Sequence, residues 1–212
     1  MADMGAISEA LQKGEADVTV RLVRQALDEG VSAEDVLNQG LLKGMDVVGE
    51  QFRTNQIFIP DVIFAARAMT AATDILQPIL TAKGIEPVGR VVIGTVKGDL
   101  HDIGKNLVAM MLRGAGFTVI DLGNDVSPET FVEAAGKAGK CLIGCSALLT
   151  TTMPKMAEVV KAVKAHKLND VKVMVGGAPV TRGYADEIGA DGYANDAASA
   201  ADLAKRLVGT RA

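Results

Sequence analysis

Residues 91–106 read VVIGTVKGDLHDIGKN, an apolar run that stops at a glycine-flanked polar loop and resumes as an amphipathic segment. Val91-Val92-Ile93-Gly94 has the length and β-branched content of a buried strand, and the apolar spacing over 104–113 is helical. The same form recurs downstream. Apolar runs lie at Thr118-Val119-Ile120, Leu142-Ile143-Gly144-Cys145, 171–175 and, more weakly, Gly192-Tyr193-Ala194, and helical segments fall at 128–138, 154–165, 184–188 and 197–208. Strands alternating with helices imply a parallel sheet with right-handed crossovers. Five such units suggest the flavodoxin-like order 2-1-3-4-5, in which ligands sit beyond the carboxyl ends of the strands, around the switch between the first and third. Function is therefore expected in the loops after Gly94, Cys145 and Val175.

Upstream the periodicity changes. From Ala6 to about Lys83 apolar residues recur at three and four, as in Val20, Val23, Leu27 and in Val36, Leu37, Leu41, Met45, Val48, Phe52, which marks core-facing helix stripes. Breaks fall at 14–17, at 30–32 with Ser32 as N-cap and Asp35 three residues on, and at 53–56. Four helices result, two of them long. Pro60 suits the first turn of the last helix, whereas Pro78 is expected to kink or end it. A linker at 84–89 then divides the chain. The expected fold is α/β: a four-helix bundle over residues 1–85, followed by a flavodoxin/Rossmann-like domain with a five-stranded parallel sheet over 90–212.

With 212 residues, 49% of them apolar, the chain can build a real core. Its net charge of -4, with lysines scattered singly, offers no basic face for nucleic acid or anionic membranes. No apolar run approaches the roughly 18 residues of a membrane span, and the first residues lack the layout of a signal peptide, so a cytoplasmic location is expected. Cys141 and Cys145 fall on one face of one strand, which disfavours a disulfide. Aromatic residues are 3% while Gly numbers 23 and Met 9, a composition suited to close backbone packing around a deformable filler. That describes an ordinary core equally well.

The three strand-end loops carry the chemistry. In the first, Asp99 and His101 stand two apart between Gly98 and Gly104. A metal-bound imidazole needs its second nitrogen held by an acceptor, usually a carboxylate. A lone histidine near acids is ordinarily a solvated surface residue, but the strand-end position favours ligation. Only one other histidine exists, His166 near a helix end, so a multi-ligand zinc site is disfavoured. One imidazole suits a metal whose other positions are already filled, as in a macrocycle. The second loop offers Ser146, Thr150, Thr151 and Thr152 before Pro154 opens a helix, and at least one of these hydroxyls is expected to cap it. The third starts with Gly176-Gly177, a pair that lets a large ligand lie on bare backbone or simply makes a turn. Neither the dinucleotide nor the triphosphate glycine motif is present.

Taken in order, Asp99-x-His101-x-x-Gly104, Ser146-x-Leu148 and Gly176-Gly177 resemble the cobalamin-binding domain shared by methionine synthase and the small methyltransferase corrinoid proteins. GMDVVGEQF, from Gly44, and FIPDVIFAARAM, from Phe58, are similar to the helical cap that precedes that domain, so the resemblance covers nearly the whole chain. It implies a cobalamin or related corrinoid bound base-off and His-on, with His101 as the lower ligand of cobalt, Asp99 as its hydrogen-bond partner and Thr152 as a third member. By the same likeness Gly98, Leu100, Asp102, Ile103 and Gly104 contact the cofactor. Its nucleotide tail enters a slot lined by Ser146, Leu148, Gly176 and Gly177, and deeper by Thr150 and Tyr193. Phe52, Ile59 and Val62 match cap positions over the methyl-bearing face, and the 84–89 linker is the expected hinge.

The implied function is that of a carrier with no catalytic residue of its own. It accepts a methyl group on cobalt(I) from a substrate-specific methyltransferase and delivers it, as methylcobalt(III), to a second methyltransferase acting on tetrahydrofolate or a similar acceptor, with a reductive activase as a further partner. Two rivals share the binding loop: a B12-dependent sensor, which needs a DNA-binding module not expected here, and the small subunit of an adenosylcobalamin mutase, which typically lacks the helical cap.

Overall fold

The computed structural model describes residues 3–209. Its elements run α1 (Met4–Gln12), α2 (Ala16–Asp28), α3 (Ala33–Asp35), a π-helical stretch (Val36–Leu42), α4 (Lys43–Arg53), α5 (Ile59–Ala82), β1 (Gly89–Thr95), α6 (Ile103–Gly114), β2 (Phe117–Asp121), α7 (Pro128–Ala138), β3 (Cys141–Ser146), α8 (Pro154–Ala165), β4 (Val171–Gly176), α9 (Arg182–Ile188), β5 (Gly192–Ala194) and α10 (Ala197–Val208). They form two compact units, one reaching Pro87 and including Arg113–Gly116, the other made of Val88–Leu112 and the chain from Phe117 onward.

The helical unit follows from its caps and stripes. The Asp3 carboxylate accepts from the amides of Gly5 at 2.8 Å and Ala6 at 3.2 Å, and Ser32 Oγ accepts from the Asp35 amide at 3.0 Å, which pairs the first free donors of two helices. Ile7, Leu11, Val23, Val36, Leu41, Val48 and Leu76 are fully buried. Gly40 and Gly44, one turn apart, present bare backbone to α1: a Cβ at either would lie 3.0 Å from a side-chain atom of Ile7 or Leu11. The sequence does not announce the π-helical stretch that holds Gly40. Nor does Pro78 end α5, which continues to Ala82. Asp74 and Pro78 are both exposed, so the carbonyl that loses its helical donor faces water.

The second unit is a five-stranded sheet of order β2-β1-β3-β4-β5 with every pairing parallel. This is the order that the strand-helix alternation predicts. The register aligns Thr95 with Ser146 and Ser146 with Gly176, so β1, β3 and β4 end in one row. The residues of β1 from Val91 to Thr95 and of β3 from Cys141 to Cys145 are all buried, as helices on both faces require. Phe131 of α7 is fully buried and fits over Gly94, where an added Cβ would lie 2.8 Å from its ring. Among the described residues no helix is long and apolar enough to cross a membrane. Truncating Phe131 to alanine should cost roughly 3–5 kcal/mol in urea unfolding, and a loss under about 1 kcal/mol would show that the ring does not anchor α7 to the sheet.

Candidate functional site

The site starts at the end of β1. Thr95 is fully buried, and its Oγ1 donates to the carbonyl of His101 at 2.8 Å. Between them the chain makes a tight turn, with the Asp99 amide donating to the Val96 carbonyl at 3.1 Å and Gly98 at φ +84°. Asp99 is fully buried and every side of its carboxylate is engaged. Oδ1 accepts from the backbone amide of His101 at 3.1 Å and lies 2.8 Å from His101 Nδ1. Oδ2 accepts from the amides of Leu148 at 2.8 Å and Leu149 at 3.3 Å, and from the hydroxyl of Thr152 at 2.7 Å.

Burial acts to raise the Asp99 pKa, but hydrogen bonds from Thr152, from the Leu148 amide and from His101 outweigh it and hold the carboxyl far below the usual range. Asp99 is therefore an ionised acceptor. A carboxylate cannot donate, so His101 Nδ1 carries the proton, and in the neutral ring the lone pair sits on Nε2. The His101 side chain is 52% exposed, and its Nε2 has no hydrogen-bond partner among the described residues. Such a nitrogen could serve as a metal ligand.

Large apolar side chains surround it where solvent would be expected. Leu100 is 70% exposed and Ile103 77%, while Leu148 and Leu149 are also exposed on the facing loop. Gly104 has open space where a Cβ would stand. An aimed imidazole among uncovered apolar groups fits a broad, largely apolar metal complex whose remaining positions are filled. Among the described residues no group of three or more His, Cys, Asp or Glu is arranged to hold a bare ion. His166 closes α8, with Nδ1 2.9 Å from the Ala162 carbonyl.

The structure thus brings Asp99, His101, Leu148 and Thr152 into direct contact, with Gly98, Leu100, Ile103 and Gly104 on the same loop. Asp102 is exposed, and its carbonyl receives the Asn106 amide at 2.8 Å as α6 begins. The expected cap of α8 is corrected: no side chain caps that helix, because Met153 is its N-cap and the Thr152 hydroxyl is turned to Asp99. Ser146 and Gly176 end their strands side by side. Gly177, at φ +130°, lies directly against the other loop, where an added Cβ would come within 1.9 Å of the Ala147 carbonyl oxygen. Its bare face thus serves loop-to-loop packing. Thr150 is exposed, and neither it nor Tyr193 hydrogen-bonds Asp99 or His101 among the described residues. Tyr193 is half-buried on β5, three strands from β1, with the Arg182 guanidinium 5.6 Å above its ring. In the helical unit Phe52 is half-buried, Ile59 is exposed and Val62 is fully buried. Sequence reasoning missed Thr95 and the loop after β2, where Asn124 and Asp125 hydrogen-bond the His101 loop. The signal available was a Gly-Asn-Asp turn at a strand end.

Comparison with known proteins accords with this geometry. A B12 binding domain model matches residues 89–202, and a second model, also described as a B12 binding domain, matches residues 5–77. A corrinoid protein of Desulfitobacterium hafniense (strain Y51) is 43% identical over 99% of both chains, and dimethylamine corrinoid protein 1 of Methanosarcina acetivorans is 42% identical over 91% of both. Among solved structures, a cobalamin-binding protein from Desulfitobacterium hafniense DCB-2 superimposes with a TM-score of 0.83 at 34% identity, covering 99% of this chain and 100% of that one. A chain of the methanol:cobalamin methyltransferase complex from Methanosarcina barkeri gives 0.86 at 30% identity, covering 98% and 80%. The chain belongs to the B12-binding corrinoid proteins. Its cofactor is a cobalamin or related corrinoid.

Exchanging Asp99 for asparagine sets an amide NH2 where one carboxylate oxygen met donors and should lower stability by about 1–3 kcal/mol. Because the folded carboxyl titrates below the unfolded one, its contribution is present above about pH 4 and lost as pH falls from there. Wild type should therefore lose more stability between pH 5 and pH 3 than Asp99→Asn, in roughly paired urea titrations. Parallel pH profiles would reject the ionised, saturated carboxylate.

Proposed function

We propose that the protein is the corrinoid carrier of a methyltransferase system, taking a methyl group from a substrate-specific methyltransferase and delivering it to a second methyltransferase that acts on tetrahydrofolate or a similar acceptor. The observation that carries this reading is the half-exposed His101 ring, held at Nδ1 by a buried carboxylate and surrounded by exposed Leu100, Ile103 and Leu148. The names of the relatives support it, since they include a dimethylamine corrinoid protein and a chain of a methanol:cobalamin methyltransferase complex. A reductive activase is a further proposed partner.

Bound corrinoid supplies a cobalt centre able to take up and hand on a methyl group. The chain supplies the hold. His101 would hold the cobalt through Nε2, and Asp99 keeps the proton on Nδ1 and makes the ring a stronger donor. The Thr152 hydroxyl on the second oxygen of Asp99 extends a hydrogen-bond chain through which the proton demand of the ring is shared. Gly98, Leu100, Asp102, Ile103 and Gly104 bear on the macrocycle. Ser146, Leu148, Thr150, Gly176 and Tyr193 would take the nucleotide tail, with Gly177 holding the two loops together beside it.

Reconstitution followed by absorbance tests the reading. His101→Ala should lose the spectrum of an imidazole-ligated corrinoid and bind it about 10–100-fold more weakly. An unchanged spectrum would refute His101 as ligand. The carrier also predicts that methylcobalamin-loaded protein gives up its methyl group stoichiometrically to an acceptor methyltransferase, whereas a preference for adenosylcobalamin with no such transfer would favour a mutase subunit.

A further inference from the structure

The loop between β2 and α7 lies against the His101 loop along its length. The Leu122 amide donates to the Ile93 carbonyl at 2.8 Å, the Thr95 amide to the Gly123 carbonyl at 3.0 Å and the Val126 amide to the Thr95 carbonyl at 2.9 Å. Val96 and Val126 form an isolated parallel bridge. Beyond that bridge the contacts come from two residues. Asn124 Nδ2 donates to the Leu100 carbonyl at 3.0 Å. The Asp125 amide donates to the Asp99 carbonyl at 3.0 Å, while its carboxylate accepts from the Gly98 amide at 2.8 Å and from Lys97 Nζ at 2.9 Å.

Asp125 holds φ at +56°, a left-handed conformation that residues with a Cβ seldom adopt and that Asp and Asn tolerate best. That geometry lets one residue aim its amide at Asp99 and its side chain at Gly98 together. Thr95 meanwhile holds the His101 carbonyl. Each residue from Lys97 to His101 is therefore tied, and the hydrogen bonds that the β2–α7 loop makes to residues 97–100 come from Asn124 and Asp125. The Asp125 side chain is 41% exposed, so removing it opens no core cavity.

We infer that Asp125, assisted by Asn124, is a positioning residue for His101: it grips the backbone on both sides of the Asp99 side chain and so sets the direction in which that carboxylate meets the imidazole and Nε2 faces outward. This rests on the reading of His101 as the cobalt ligand. The Lys97 ion pair is exposed and contributes little by itself. What matters is the acceptor for the Gly98 amide and the left-handed backbone.

Two readouts separate positioning from general folding. In corrinoid-free protein, the His101 Nδ1–H proton should be visible by NMR in wild type and Asp125→Asn, and should broaden by exchange in Asp125→Ala, with far-UV circular dichroism unchanged and the variant still folded at the temperature of measurement. In protein titrated with cobalamin, Asp125→Ala should bind about 10–100-fold more weakly and show a reduced imidazole-ligated fraction, while Asp125→Asn stays within about threefold of wild type. Asn124→Ala should lie between them. A wild-type-like Nδ1–H signal and affinity in Asp125→Ala would overturn the inference, as would an equal loss in Asp125→Asn, which would assign the effect to charge. If His101→Ala leaves the loaded spectrum unaltered, the ligand reading falls, and the NMR comparison alone still decides whether Asp125 orients the ring.

Discussion

The Asp99 carboxylate is the interaction on which the binding end of the sheet depends. Removing a carboxylate from water costs several kcal/mol unless donors replace the lost hydration. Here they come from two loops that the chain order separates by about fifty residues: His101 on one side, and Leu148, Leu149 and Thr152 on the other. Two strands that leave a sheet in opposite winding directions open a crevice between their loops. A charge, rather than an apolar contact, spans that crevice at its base. The consequence reaches the ring directly, because the same ionised acceptor that recruits the β3 loop dictates which nitrogen of His101 bears the proton.

Around this buried charge the usual polarity of a protein is inverted. The polar group lies inside, and the leucines and isoleucine of both loops lie outside. Leaving Leu100 and Ile103 uncovered forgoes about 1.5–3 kcal/mol of burial for each side chain. A clustered apolar surface of that kind marks a place where a ligand is bound. On the proposed reading the fixed imidazole would set where that ligand's metal sits, and the exposed apolar side chains suit a flat body around it.

The sheet was readable from sequence because each strand is a short apolar run bounded by glycine or polar residues, and the parallel order follows from the alternation with helices. Helices α7, α8 and α10 match the residues expected because Pro128 and Pro154 mark two starts and the apolar spacing marks the ends. The π-helical stretch was not readable, since Val36–Leu42 keeps ordinary helical composition and widens only to admit α1 against Gly40. Pro78 misled because propensity takes no account of which side of a helix meets water. The hydroxyls before Pro154 misled as a group: one of them was expected to cap α8, whereas Met153 is its N-cap, and Thr152, which the resemblance set beside Asp99, donates to that carboxylate. Asp125 escaped notice because attention to the switch point passes over the loop of the edge strand.

The side chains that align the site share a property that explains their choice. Thr95, Asp99, Thr152 and Asp125 are short, so holding each in one rotamer sacrifices little conformational entropy, and their reach of one or two bonds allows little error. Such groups align a ligand only if the backbones they bridge are themselves in register. The row Thr95, Ser146, Gly176 supplies that register through ladder hydrogen bonds buried beneath helices. A slip of one residue between β1 and β3 would carry the Leu148 amide away from Asp99 and turn every β3 side chain to the opposite face. The pairing of two central strands and the aim of one imidazole nitrogen are therefore a single constraint.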